Sequence, residues 1–126
     1  MTILVTGATG TIGSQVLSEL AGVSVKVRAL TRSPGKATLP GSTTAVAADV
    51  TDIESLRQSM TGISTLFLLV PNLADEFTHA MLALDAARDV GVKGVVYLSV
   101  YRGEEYADVP HFAGKAAAER MIADAA

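Results

Sequence analysis

The feature that most constrains this chain is a glycine run, Gly7-Ala8-Thr9-Gly10-Thr11-Ile12-Gly13, which follows the strand-like Thr2-Ile3-Leu4-Val5-Thr6 and opens a helical pattern. A turn of this kind lets a phosphate approach backbone N–H groups that a Cβ would obstruct, at a helix N-terminus whose partial positive charge favours an anion. The third glycine allows close packing of helix on strand. The spacing is G-x-x-G-x-x-G rather than the commoner G-x-G-x-x-G. Glycines also mark ordinary turns, so the strand before and the helix after are what make the signal specific. The turn predicts a seat for the pyrophosphate of a dinucleotide.

The rest of the chain agrees with that prediction. Apolar, largely β-branched segments near residues 2–6, 24–30, 43–47, 64–70 and 94–100 alternate with helical patterns, the signature of βαβ units. The expected fold is a Rossmann-like three-layer αβα domain with five parallel strands in the order 3-2-1-4-5, each strand covered on both faces. The first helix carries Ile12, Val16, Leu17 and Leu20 on one face, with Gly22 beyond its end. A short helix covers Asp52 to Ser59, with Thr51 as N-cap and Glu54 three residues later. A third helix covers Ala74 to Val90, where Asp75 and Glu76 favour its positive end, Phe77, Met81 and Leu84 form a stripe and Gly91 ends it. A last helix runs from about His111 to Ala125. Residues 1–126 read as one domain without repeat or linker.

Composition excludes several functions. The net charge of −3 argues against a nucleic-acid binder, and the absence of Cys removes disulfides, Cys-ligated metals and thiol nucleophiles. Glu104, Glu105 and Asp108 lack a His at ligand spacing and read as a solvated loop, so no metal site is expected. Asp85, Arg88 and Asp89 read as a solvated helical face, and His79 as a partly exposed helical residue. Met1 leads straight into the first strand without a targeting segment, and Leu66 to Val70 is far too short to span a bilayer. The expected location is the cytoplasm, with no membrane partner.

Cofactor preference is read at the end of the second strand, where an NAD-selective site places a carboxylate for the ribose diol. Here the residues are Ala29-Leu30-Thr31-Arg32-Ser33. Arg32 can pair with a 2′-phosphate or stack on adenine, which favours NADP(H) over NAD(H); the alternative is a solvated surface Arg. Lys36 and Arg28 are weaker candidates, and strand alternation points Arg28 elsewhere.

Ile3 to Gly13, Arg28 to Arg32, Asp49-Val50-Thr51-Asp52, Phe67 to Pro71, Val95 to Ser99 and His111 to Glu119 together resemble the NmrA-like atypical short-chain dehydrogenase/reductases across essentially the whole chain. The resemblance implies that Gly7, Thr9, Gly10, Thr11, Ile12 and Gly13 hold the pyrophosphate. It implies that Asp49 and Val50 touch the adenine edge, and that Leu69, Val70 and Pro71 lie along the ribose and nicotinamide. It puts Ser99 in the position of the catalytic-region Ser, and matches Lys115 to the Lys that holds the nicotinamide ribose. His111 stands where a classical member carries its acid Tyr, one helical turn before Lys115. It is read either as a proton donor or as a helix-start residue that lines a pocket or faces water.

The family is usually about twice this length, so the chain is expected to carry the cofactor half without the C-terminal substrate-binding region and its sixth strand. Residues 94–100 would then form an apolar sheet edge without charge between Val95 and Val100, inviting a dimer or pairing with another chain. Three functions follow. The first is an NADP(H)-dependent oxidoreductase moving hydride to or from a small organic substrate, with Ser99, Lys115 and His111 in the chemistry. The second is a non-catalytic dinucleotide-binding module or redox sensor acting through a protein partner. The third, a nucleotide-sugar epimerase, requires a Tyr at position 111 and ranks last.

Overall fold

The computed structural model describes residues 1–36, 38–71 and 73–125. The strands are β1 (Thr2–Val5), β2 (Lys26–Thr31), β3 (Thr44–Ala47), β4 (Thr65–Leu68) and β5 (Gly94–Tyr97). The helices are α1 (Thr11–Leu20), α2 (Ile53–Met60), α3 (Glu76–Asp89) and α4 (Pro110–Ala125), with a short 3₁₀ turn at Pro34–Lys36. All strand pairs are parallel and the order is β3-β2-β1-β4-β5, as expected.

Alternation along the strands divides the core in two. Leu4, Leu30, Leu66 and Leu68 pack with Leu56 and Met60 of α2 and with Ala83, Ala86 and Ala87 of α3. Val5, Val27 and Ala29 face the other way and meet Leu17 of α1. Burying one such Leu contributes roughly 1.5–3 kcal/mol. Among the described residues, α4 lies alongside α3.

Four expectations need correction. Ile12 is 48% exposed, because it sits at the first turn of α1, beyond the end of β1, where the sheet no longer covers it. Phe77 is 40% exposed, and the face of α3 against the sheet is instead Ala80, Ala83, Ala86 and Ala87. Small side chains let that helix lie close, and the larger residues flank the contact. The N-cap of α2 is Asp52 rather than Thr51: its carboxylate accepts from the N–H groups of Glu54 at 3.0 Å and Ser55 at 3.4 Å. Asp49 occupies the Thr51 hydroxyl instead. Finally, β5 is not covered on both faces, since Val96 is 49% exposed. One surface residue also gains a role, as Asp89 of α3 accepts from Arg57 Nε at 3.0 Å and Nη2 at 2.6 Å, tying α3 to α2.

Candidate functional site

The glycine turn is shaped by its own backbone. Gly7 has φ +61°, the left-handed region, and a Cβ there would lie 3.0 Å from Leu69 Cβ. At Gly13 a Cβ would fall 1.9 Å from the Gly7 carbonyl oxygen, so no side chain fits. Gly10 is the N-cap of α1, and its N–H donates to the Gly7 carbonyl at 3.1 Å. No side chain caps α1 and no carboxylate lies in its first turn, so neither competes with an anion for its N–H groups. The cradle therefore fits a pyrophosphate on observed geometry.

Beside the turn is a cleft of about 550 Å³. It opens at the carboxyl ends of β1, β2 and β4, where the strand order reverses and open α/β sheets bind ligands. Gly7 and Thr9 line one side, Arg32 and Lys36 another, and Val50, Leu69, Val70 and Pro71 complete it. Arg28 points away, donating from Nη1 to the carbonyls of Ser59 at 3.3 Å and Thr61 at 2.7 Å, as strand alternation predicts.

Asp49 is turned aside from the cleft. Its carboxylate accepts from the Thr51 hydroxyl at 2.6 Å and the Thr51 N–H at 2.9 Å. These two bonds, the hydroxyl's foremost, hold its pKa below the usual carboxylate value, with smaller help from the Arg32 and His79 charges. His79 is a partly exposed helical residue as read, but its ring also lines the cleft. Its Nε2 is 3.1 Å from Asp75 Oδ2, without the alignment of a hydrogen bond.

Ser99, Lys115 and His111 do not line this cleft; Lys115 and His111 instead converge on a carboxylate that the sequence assigns only to the positive end of α3. Glu76, the first residue of α3, is buried. One of its oxygens bonds His111 Nδ1, and the other lies 3.6 Å from Lys115 Nζ, with no hydrogen-bond partner among the described residues. Lys115 is also buried, and its ammonium donates to the carbonyls of Val70 at 3.3 Å and Leu98 at 3.5 Å. It lies 5.1 Å from the centre of the Tyr97 ring. Burial first, then the Glu76 and Glu119 charges, push the Tyr97 hydroxyl up to about 12. Ser99 Oγ is buried and has no hydrogen-bond partner among the described residues.

The loop between β5 and α4 braces this cluster. The Tyr106 ring meets Phe112 edge-on at 5.8 Å, and Phe112 in turn meets His111 edge-on at 5.8 Å. Thus Lys115 links the ends of β4 and β5, while His111, with its side chain 24% exposed, remains reachable from solvent. Among the described residues, no group of three His, Asp or Glu side chains is placed to hold a metal ion, and no helix is long and apolar enough to cross a membrane.

The profile of the NmrA-like family matches residues 1–126. The chain belongs to the NmrA-like family. Its fold is that of NAD(P)-binding Rossmann proteins: it superposes with TM-score 0.89 and 29% identity on the Citrobacter sp. triphenylmethane reductase complexed with NADP(H), over 98% of this chain and 46% of that one. It is 34% identical over 97 residues to the NAD(P)H azoreductase of Xenophilus azovorans, covering 75% of this chain and 34% of that protein. A photosystem II assembly factor of Cyanophora paradoxa is 26% identical over 132 residues, covering 97% of this chain and 41% of that protein. The chain spans less than half the length of each of these three relatives.

Proposed function

We propose that this NmrA-like chain binds NADP(H) and serves a reductase that moves hydride between that cofactor and a small organic substrate. The observation that carries the reading is the glycine cradle with Arg32 and Lys36 across the same cleft. The N–H groups at the start of α1 hold the pyrophosphate. Arg32 and Lys36 supply positive charge for a 2′-phosphate where an NAD-selective site would place a carboxylate. Val50, Leu69, Val70 and Pro71 give the flat, largely apolar walls that a base and a nicotinamide ring pack against.

When bound, the cofactor supplies the hydride, and the protein orients it and manages the proton. Lys115 fixes the ends of β4 and β5 beside the nicotinamide side of the cleft. Ser99 offers a hydroxyl at the same sheet end, and His111 carries a proton to or from the substrate atom that gains or loses charge. Similarity to a triphenylmethane reductase and an azoreductase points to conjugated aromatic compounds as the first substrates to test.

The second reading, a dinucleotide-binding module that acts on a protein partner, draws support from the assembly-factor relative. NADPH oxidation with a panel of azo dyes, triphenylmethane dyes and quinones separates the two. Turnover supports the reductase. NADPH binding without turnover of any of them supports the module.

A further inference from the structure

We propose that Glu76 is a positioning residue of the active centre, holding His111 by Nδ1 so that Nε2 alone exchanges a proton with substrate. Burying a carboxylate is costly unless it is paired, and Glu76 is paired on two sides by residues of α4. The two pairs join residues 35 and 39 apart in sequence, so they are tertiary contacts made by folding rather than accidents of one helix.

An imidazole has two nitrogens, and the partner of one sets the role of the other. With Nδ1–H donating to Glu76, the neutral ring presents its Nε2 lone pair outward. That nitrogen accepts a proton when a substrate hydroxyl is oxidised. In the opposite direction, the doubly protonated ring releases its Nε2 proton to the substrate heteroatom that gains negative charge as hydride adds to the atom bonded to it, and the ring is left neutral with its Nδ1–H still on Glu76. Phe112 blocks one flank of the imidazole edge-on, which restricts its rotation. The other ionisable groups near the cluster, among the described residues, are Lys115 and Glu119 from the same helix and Tyr97 from β5. Lys115 Nζ is committed to two backbone carbonyls, which leaves His111 as the side chain free to turn over a proton.

This inference rests on the reductase reading but is tested without cofactor or turnover. Long-range ¹H–¹⁵N spectra of the imidazole rings, recorded above neutral pH with His79→Gln to assign the two histidines, report the tautomer directly. The expected result is an Nδ1–H tautomer for His111 in the otherwise unchanged protein. Glu76→Leu, which removes the acceptor, moves it toward Nε2–H, and Glu76→Asp partly restores the original state. An Nε2–H tautomer at His111 in the chain with Glu76 intact overturns the proposal, even if no Glu76 variant folds. So does an Nδ1–H state that survives Glu76→Leu. NADPH binding measured separately on the unmodified chain tells failure of this inference from failure of the cofactor reading.

Discussion

The Thr6 hydroxyl and the Leu69 backbone are bonded in both directions: Oγ1 donates to the Leu69 carbonyl at 2.8 Å and accepts from the Leu69 N–H at 2.8 Å. One side chain thereby completes the β1–β4 ladder at the floor of the cleft, where β4 itself has ended at Leu68. Its position also fixes Leu69 against Gly7, whose missing Cβ makes room for it.

Thr6→Val keeps the shape and removes both bonds, leaving the partly buried Leu69 N–H and C=O without this partner. We expect a loss of about 1–3 kcal/mol in urea unfolding, with weaker nucleotide binding, whereas Thr6→Ser retains most of both. Equal unfolding midpoints for Thr6→Val and the parent would contradict this role.

Gly13→Ala places a methyl carbon 1.9 Å from the Gly7 carbonyl oxygen, so helix α1 must move away from the turn. The expected outcome is destabilisation of about 1–3 kcal/mol or more, together with loss of nucleotide binding. Gly35→Ala is the matched control, because its Cβ would meet no atom of the described residues within 4 Å. Thermal melts and nucleotide titration of the two variants check the contrast.

Tyr97 makes a prediction at alkaline pH. Its pKa rises from an ordinary 10.0 to about 12, chiefly through burial and then through the Glu76 and Glu119 charges. The folded state therefore holds the phenolic proton more tightly than the unfolded state. The resulting stability is fully present below about pH 10 and is lost as pH rises toward about 12. Tyr97→Phe should unfold less steeply with pH across that window, as read by denaturation midpoints. Parallel pH profiles for the two proteins would contradict it.

The β5 edge is proposed to pair two copies of this chain. Val96 is 49% and Leu98 37% exposed, and no charge guards the run from Val95 to Val100. Light scattering should show self-association of the parent chain that Val96→Lys suppresses. A monodisperse monomer at all concentrations would contradict it.

Much of the fold was legible in the sequence because its periodicities are local. Alternating β-branched strands and glycine-terminated helices specify a parallel sheet, and the Gly7 to Gly13 run marks the switch point of that sheet. Side-chain partnerships between distant segments were not legible. Glu76 read as a first-turn carboxylate because its burial depends on where α4 docks, and Thr6 read as one more strand residue because its partner lies 63 positions away. The exposure of Ile12 and Phe77 likewise depends on how far the sheet and α4 extend over each helix. At the N-terminus of α2, two adjacent capping residues, Thr51 and Asp52, compete, and the Asp49–Thr51 bonds decide the outcome.

The central claim is that the cleft binds NADP(H) and reads its 2′-phosphate through Arg32. Parallel calorimetric titrations with NADPH and NADH at moderate salt, on the parent and on Arg32→Ala, test it most directly. We expect the parent to prefer NADPH. The substitution should weaken NADPH on the order of tenfold, equivalent to about 1.4 kcal/mol, and leave NADH nearly unchanged. Equal binding of both nucleotides, equal losses on substitution, or no binding by the folded protein would contradict the account.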